Sequence, residues 1–533
     1  MSDWTKKDAS HPGHPMRDPA SAAKLFAELR EADPLTALRD LSAWLEEAKD
    51  ISGDQEKVRG DILALIQEAG DMHVVKQLAQ FIARQSDPQA ARESNWNALN
   101  QYLKGLTGAL CASATHLFEQ AEKDPSLQLL AAAGAARGLH ACRMMAKLYL
   151  VRYLSVPPKL WQLAYVVHGD AEKADCAAKP VRMHAAQKVP TTVTQELLRL
   201  LMLQSSSPEM MAPEQIEVAD RVIELLGGDF TLRPRGSADS AFRFDPGSDQ
   251  PPQRAADRPP EPDADIRYFG PGMGIDALQR LHTELAQMRR AEDIRPFGKD
   301  IPPHAQMSAI RHLLLFWGQE SPYTAPARSE ATGTLHVIHG YAQIWQHLSR
   351  SATIELSLTE DGDGPAQAPE TWTLKDTGGN ELGAEIPPRS SDWARSGDVV
   401  GVSMHGDDKY WLGLIRSMHA EPGHGVHANI VILSREPQAG QLRPVIELGD
   451  ENAFTENAAR QFAFNSVRAI ILSDGSAGSQ KANFLLPPEH WEGGRVYEGT
   501  IAGTVRQLHS LRLLRRGDDY VRASFEWVSV TQA

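Results

Sequence analysis

The feature that most constrains this fold is a change in hydrophobic period partway along the chain. Up to about residue 228, apolar residues recur every three or four positions, as Leu99, Leu103 and Leu106 do, and this is the period of an amphipathic helix. From Gly333 onward, apolar and polar residues alternate, which is typical of half-buried strands. We therefore expect a helical region followed by a β region.

The helical region is predicted to be an all-α domain of six or more helices over residues 20–228. Pro157-Pro158 ends one of its long helices, and Gly227-Gly228 supplies a glycine stop signal for the last. Residues 1–19, which contain three prolines, are predicted to form a disordered tail.

A change in composition separates the helical and β regions. Residues 229–265 are rich in Pro, Asp and Arg, which predicts an irregular, Pro-rich linker. A helical connector is expected over 266–320, with helices near 275–290 and 306–317. The run Gly270–Gly274 lacks the G-K-[ST] ending of a phosphate-binding loop, so a helix-entry turn is the better interpretation.

Two series of short strands follow, and together they predict a multidomain α+β protein. A small antiparallel barrel is expected over 321–437 and a second small β-domain over 438–533. The predicted strands of the first series are 334–338, 353–358, 371–374, 398–402, 411–415 and 428–433. Those of the second series are 445–448, 467–472, 483–486, 495–501, 510–515 and 523–528.

Charge and composition exclude several classes of protein. The net charge of −14 argues against a nucleic-acid-binding protein, because such a protein needs basic surface to neutralise phosphates. The most apolar stretch, 127–154, is interrupted by arginine and lysine, so no membrane span is expected. The start of the sequence lacks the apolar run of a signal peptide, and three scattered cysteines suggest no disulfide framework. A cytoplasmic protein is expected.

No motif of catalysis is present, so no catalytic residue, cofactor or metal is predicted. The sequence contains no G-x-S-x-G elbow and no H-E-x-x-H zinc motif. His419, His424 and His427 fall in one predicted hairpin loop, where three imidazoles could bind a metal. Polar loop residues are the favoured interpretation of this group. We expect a protein that is not an enzyme.

Arg328 and Asp376 are the candidate ligand-binding residues. Arg328 immediately precedes the first strand of the predicted barrel, and Asp376 lies in the turn of WTLKDTGGNELGA, residues 372–384. A guanidinium matches both guanine O6/N7 and phosphate oxygens, and a carboxylate can accept hydrogen bonds from guanine N–H groups. The pair is therefore suited to a guanine nucleotide.

At these residues the sequence resembles the PilZ family of bacterial cyclic di-GMP receptors. The resemblance covers roughly residues 325–437. It rests on an arginine arm, then W-x-x-x-D at Trp372–Asp376, GDVVGV at 397–402, YWLGLIRSM at 410–418 and ANIVILSREP at 428–437. It implies a PilZ-like antiparallel β-barrel and cyclic di-GMP as the ligand, with Arg328 and Asp376 in the site.

The sequence departs from the family's ligand motif at three positions. Thr324 stands where the first arginine of R-x-x-x-R is expected, and Gly378 and Glu381 replace the serine and glycine of D/N-x-S-x-x-G. The favoured hypothesis is a regulatory or interaction protein with unidentified protein partners whose barrel has lost the usual site. The alternative is a functional cyclic di-GMP receptor that completes its site with other arginines, such as Arg233 and Arg235.

Overall fold

The computed structural model describes residues 16, 18–49, 51, 55–83, 89–184, 186–237, 240–256, 265–287, 296–351, 368–388, 393–404, 409–420, 425–445, 466–472, 481–501 and 504–528. The chain folds into two compact units, residues 1–323 and 324–533, and each unit is described by itself. The predicted tail, residues 1–19, lies almost entirely outside the described residues.

The first unit begins with a series of α-helices, which confirms the predicted all-α domain. Proline at the first position and an aspartate cap fix several helix starts; for example, the Asp33 carboxylate accepts a hydrogen bond from the Thr36 N–H at 3.0 Å. The helices are α1 (Pro19–Leu29), α2 (Pro34–Ala48), α3 (Glu56–Ile82), α4 (Gln89–Ala121), α5 (Gln128–Leu150), α6 (Pro158–Lys173), α7 (Val193–Gln204) and α8 (Pro213–Leu226).

The core of the helical domain is built around α4 and α5, which pack closely because small residues face each other. A Cβ atom on Gly138 would lie 2.9 Å from the Sγ atom of Cys111, so only glycine permits this approach. Cys111, Cys142 and Cys176 are all buried free thiols, as expected from their scattered positions.

A buried ion network joins α5 to α8. Arg143 Nη1 lies 2.7 Å from Asp220 Oδ1, and Lys147 Nζ lies 2.8 Å from Asp220 Oδ2. Burial opposes ionisation of Asp220, but Arg143 and Lys147 outweigh it and hold the pKa of this carboxyl well below its usual range. Removal of one partner would leave an uncompensated charge in the core.

The segment predicted to be an irregular linker instead contributes to a four-stranded sheet of order β1-β4-β2-β3. Its strands are stabilised by Phe242, Phe244 and Phe269, which are 4% exposed or less, and the ring of Phe269 packs against the other two. The prolines at 246, 251 and 252 fall between strands, where no ladder donor is needed. The strands are β1 (Thr231–Arg233), β2 (Phe242–Phe244), β3 (Gln253–Arg254) and β4 (Arg267–Gly270).

Two helices, α9 (Gly274–Gln287) and α10 (Pro303–Phe316), follow this sheet. The Gly274 N–H donates to the Pro271 carbonyl at 2.9 Å, which confirms that the Gly-Pro-Gly-Met-Gly run is a helix-entry turn. Gly272 has a φ of +52°, and a Cβ atom there would lie 2.3 Å from the Asp229 carbonyl oxygen. Glycine is therefore required at position 272, because the turn needs a positive φ and has no room for a side chain.

The second unit begins with a closed antiparallel barrel of order β10-β7-β6-β5-β8-β9, which confirms the predicted barrel. The expected strand at 353–358 lies outside the described residues. The predicted turn position of Asp376 is wrong, because β6 continues through Asp376 and pairs Gly378 with Glu381, which leaves only Gly379 and Asn380 for the turn. The chain then returns as a full strand, β7. The strands are β5 (Ser329–His339), β6 (Glu370–Gly378), β7 (Glu381–Ile386), β8 (Val399–Met404), β9 (Trp411–Ala420) and β10 (Val426–Ser434).

A helix that the sequence analysis did not predict, α11 (Tyr341–Ser351), follows β5. Its buried residues Tyr341, Ile344, Trp345 and Leu348 follow the i, i+3, i+4, i+7 pattern of an amphipathic helix. The short run was overlooked because alternating segments flank it on both sides.

A second closed antiparallel barrel completes the chain, with order β11-β12-β13-β16-β15-β14. Its interior contains Phe484, Tyr497, Leu508 and Phe525. The expected strand at 445–448 is displaced, since β11 already ends at Pro444 and residues 446–448 lie outside the described residues. The strands are β11 (Gln438–Pro444), β12 (Val467–Leu472), β13 (Lys481–Leu486), β14 (Val496–Ile501), β15 (Thr504–Arg516) and β16 (Val521–Val528).

Helix α11 packs between the two barrels of the second unit. Tyr341 Oη donates to the Arg468 carbonyl of the second barrel at 2.6 Å, and Trp345 Nε1 donates to the Gly440 carbonyl at 3.1 Å. Asp519, between β15 and β16 of the second barrel, adds a third contact by accepting a hydrogen bond from the Tyr341 N–H at 2.7 Å. The barrels therefore share one apolar interface around α11.

Within the described part of the chain, no helix is both long enough and apolar enough to cross a bilayer.

Candidate functional site

The two candidate ligand-binding residues predicted from the sequence are in direct contact. Arg328 Nη1 donates to Asp376 Oδ1 at 2.6 Å and to Asn429 Oδ1 at 2.7 Å. Arg328 Nη2 donates to Glu381 Oε2 at 2.8 Å. Both ends of the guanidinium fork are therefore occupied within the barrel itself.

Strand register brings these residues together on one side of the barrel. Asp376 on β6 and Asn429 on β10 both lie opposite Gly383 on the intervening strand β7. A Cβ atom on Gly383 would lie 2.4 Å from an Asp376 carboxylate oxygen. The absence of a side chain at Gly383 is thus what leaves room for the Asp376 carboxylate.

Close approach of the arginine arm to the β6–β7 turn also depends on glycine. A Cβ atom on Gly378 would lie 2.5 Å from the Ala327 carbonyl oxygen. Gly378 occupies the position at which the family motif has serine, so the arm can lie directly against the turn. Thr324, at the position of the missing first arginine, is exposed.

Glu381 is held between two arginines and is only 6% exposed. One carboxylate oxygen pairs with Arg328 and the other with Arg416 of β9. Together with Asp376, the group contains two guanidiniums and two carboxylates, so its formal charges cancel. We call Arg328, Asp376, Glu381 and Arg416 the β6–β7 ion network.

Polar neighbours complete this network. Asn429 Nδ2 donates to Ser417 Oγ at 2.8 Å, which fixes the amide so that its oxygen faces Arg328. His427 Nε2 lies 3.5 Å from Asp376 Oδ2. Burial lowers the pKa of His427, although the neighbouring Asp376 carboxylate works in the opposite direction.

The three histidines considered as a metal site do not form one group in the described residues. His419 and His427 face each other across β9 and β10, whereas His424 lies outside the described residues. No cluster of three His, Cys, Asp or Glu side chains suited to a metal is present among the residues that the structure describes.

Sequence reasoning missed Arg416 of the network and its polar neighbour Asn429. Both lie inside segments quoted for the family resemblance, YWLGLIRSM and ANIVILSREP, but only Asn429 falls within a predicted strand, and neither is a predicted site residue. Arg416 is 35 residues and Asn429 is 101 residues from its partner, so only closure of the barrel brings them together. The sequence shows Glu381 only as a replacement of the motif's glycine, not as a partner for arginine.

The other arginines proposed to complete the site, Arg233 and Arg235, belong to the first unit, and Arg233 ends the short strand β1. A polar cavity of about 370 Å³ in the same unit is lined in part by Gln204, Glu209 and Arg254. The Arg254 guanidinium donates to the Phe316 carbonyl at 2.7 Å, so this cation is already engaged by the protein.

The fold and the network describe a helical domain joined to two β-barrels, one of which has an arginine-centred polar site. Residues 20–236 are similar to a family model described as the N-terminal domain of the cyclic-di-GMP receptor FimW. No curated protein and no solved structure matches the chain.

The family match supports a cyclic-di-GMP receptor-like protein. It covers the helical domain and not the barrels, so it does not distinguish a PilZ barrel from another small barrel. The match favours the alternative interpretation, a functional receptor, over the hypothesis that ligand binding has been lost.

Proposed function

We propose that this protein is a non-enzymatic receptor for cyclic di-GMP. The observation that carries the proposal is the similarity of residues 20–236 to the N-terminal domain of a cyclic-di-GMP receptor. The barrel adds support, because it brings together the two residues that suit a guanine nucleotide: Arg328 Nη1 lies 2.6 Å from Asp376 Oδ1. A receptor role also agrees with the lack of catalytic motifs in the sequence.

In this proposal the β6–β7 ion network is the closed, ligand-free form of the site. A phosphate of the ligand would replace the Asp376 and Glu381 carboxylates at Arg328, since phosphate oxygens match the guanidinium fork equally well. The released Asp376 carboxylate could then accept hydrogen bonds from guanine N–H groups. Binding would thus exchange internal ion pairs for contacts with the ligand.

Because internal ion pairs are exchanged for contacts with the ligand, we expect cyclic di-GMP to bind with moderate affinity. The network is neutral, so a dianionic ligand gains no long-range attraction from it. Each contact to the ligand is offset by one that is lost inside the barrel. Arg416 would keep Glu381 anchored while the ligand is bound, because the two remain paired through the other carboxylate oxygen.

Ligand-dependent thermal stabilisation of the full chain tests this function, because a ligand that binds only the folded state raises the melting temperature with its concentration. Cyclic di-GMP should raise it in a saturable way, whereas cyclic di-AMP, which lacks the guanine N–H donors and O6, should not. An equal response to both dinucleotides would contradict guanine recognition. No response to cyclic di-GMP would contradict the receptor function.

A further inference from the structure

The second barrel contains an arginine cluster that the function described above does not use. Arg512, Arg515 and Arg516 lie on β15, and Arg522 follows on β16. Within the part of the chain that the structure describes, none of these four side chains forms an ion pair or a hydrogen bond. This contrasts with Arg328, which is fully engaged by carboxylates and an amide.

Strand register places the cluster on the outside of the barrel. Ala523 and Phe525 of β16 point into the barrel core, so Arg522 and Ser524 face outward. Directly opposite residues of an antiparallel pair share a face. Arg515 lies opposite Arg522, and Arg512 lies opposite Ser524.

Irregularities in β15 are what bring its arginines to the same face. The register shifts between Ser510 and Arg512 and again between Leu513 and Arg515. In a regular strand, residues three apart point to opposite faces, but an inserted residue restores the alignment. Both Arg512 and Arg515 therefore join Arg522 on the outer face.

The arrangement is electrostatically unfavourable without a bound anion. Two like charges directly opposite each other on a sheet destabilise it, and this applies to Arg515 and Arg522. The Nε atom of Arg522 is also buried without a hydrogen-bond partner among the described residues. Burial of an unpaired donor carries a desolvation cost. A bound anion would offset both this cost and the repulsion between the two arginines.

Two carboxylates lie near the cluster, but backbone groups already engage them. Asp519 accepts a hydrogen bond from the Tyr341 N–H at 2.7 Å, and Asp398 accepts one from the Arg395 N–H at 3.0 Å. Burial raises the pKa of the Tyr520 hydroxyl, and smaller effects come from both carboxylates and from Arg515 and Arg522, which lie nearby. Tyr520 Oη donates to the Gly397 carbonyl at 3.0 Å, which places the cluster at the rim where the two barrels meet.

We propose that Arg512, Arg515 and Arg522 form a binding site for the phosphate groups of a nucleotide. Paired guanidiniums on adjacent strands suit phosphate oxygens, which accept the two parallel N–H groups of an arginine. The identification of cyclic di-GMP as this nucleotide rests on the proposed receptor function. The cluster would then bind the ligand's phosphates without first displacing a carboxylate.

Calorimetric titration of the full chain separates the two proposals. The wild type, the double variant Arg515→Gln/Arg522→Gln and the control Arg443→Gln are each titrated with cyclic di-GMP, GTP and inorganic pyrophosphate. Arg443 is an exposed arginine on β11 of the same barrel, so the control removes a charge elsewhere. We expect the double variant to bind at least one of these compounds about tenfold or more weakly, and the control to match the wild type.

The outcomes are distinct. The cluster is not a phosphate site if none of the three compounds binds the wild type, or if the double variant binds them as the wild type does. If cyclic di-GMP binds and the double variant is unchanged, the receptor function stands and the cluster proposal fails. If GTP or pyrophosphate binds through the cluster but cyclic di-GMP does not bind, the cluster proposal stands and the receptor function fails. Melting temperatures and circular dichroism spectra check that the double variant remains folded.

Discussion

Glu381 Oε2 lies 2.8 Å from Arg328 Nη2, so an acidic residue at the motif's glycine position neutralises the arginine beside it. The same carboxylate pairs with Arg416. A change that the sequence shows only as a departure from the family motif is, in the folded barrel, an ion-pair partner that would compete with a ligand for the arginine. In the proposed receptor, affinity is therefore set by the balance between Glu381 and the ligand's phosphate.

Substitution Glu381→Gln tests this competition. We expect cyclic di-GMP to bind more tightly, because Arg328 and Arg416 each lose a carboxylate partner and become available to phosphate. The free energy of unfolding should fall by about 1–3 kcal/mol, because two partly buried arginines lose their charge-assisted hydrogen bonds. Calorimetry and chemical denaturation measure the two effects, and weaker binding would contradict the competition.

Introduction of the missing arginine, Thr324→Arg, should also tighten binding. Thr324 is exposed, so the new side chain can reach a ligand without disturbing packing. Lysine at the same position is the matched control, since it adds the charge without the bidentate fork. A gain with arginine that lysine does not reproduce would support phosphate recognition, and equal affinities for all three proteins would argue against this location.

Gly383→Ala should disrupt the ion network. The added Cβ atom would lie 2.4 Å from an Asp376 oxygen, so the carboxylate must move away from Arg328. We expect a loss of about 1–3 kcal/mol in the free energy of unfolding, as for other overpacking substitutions. The control is Gly493→Ala, where no atom lies within 4 Å of the added Cβ. Equal stability of the two variants would show that Gly383 is not required.

The stability of the helical domain should fall in mild acid because of His168. Its side chain is 6% exposed, and burial, with a smaller effect of Arg267, lowers its pKa to about 4. The unfolded chain binds a proton near pH 6.5, so stability is lost as the pH falls from about 6.5 to about 4. The loss should reach about 3 kcal/mol.

Chemical denaturation of the wild type at pH 7 and pH 4.5 measures this loss. His168→Gln should reduce the difference between the two pH values, whereas the same substitution at the exposed His116 should leave it unchanged. An unaltered pH dependence in His168→Gln would contradict the assignment.

Much of the architecture could be predicted from hydrophobic period alone. Long segments such as α4 and α5, and strands such as β9 and β12, have clear patterns, and both barrels follow from them. Short elements escaped detection because few residues carry their signal. Strand β2 spans only Phe242–Phe244 within a Pro-rich segment, and α11 is an eleven-residue helix between strands.

The site was predicted only in part, for a physical reason. Arg328 and Asp376 could be identified because they stand in a recognisable local motif. Arg416 and Asn429 reach the network through strand pairing across the closed barrel, and no local pattern specifies which face of a strand will meet an arginine. The unpaired state of Arg515 and Arg522 likewise depends on irregularities in β15 that alternation alone does not reveal.

The central claim is that the chain binds cyclic di-GMP, and calorimetric titration of the purified wild-type chain tests it most directly. We predict a saturable heat of binding for cyclic di-GMP. Absence of any saturable heat at ligand concentrations up to about 1 mM would contradict the claim. A dissociation constant of about 1 mM corresponds to a binding free energy of only about 4 kcal/mol.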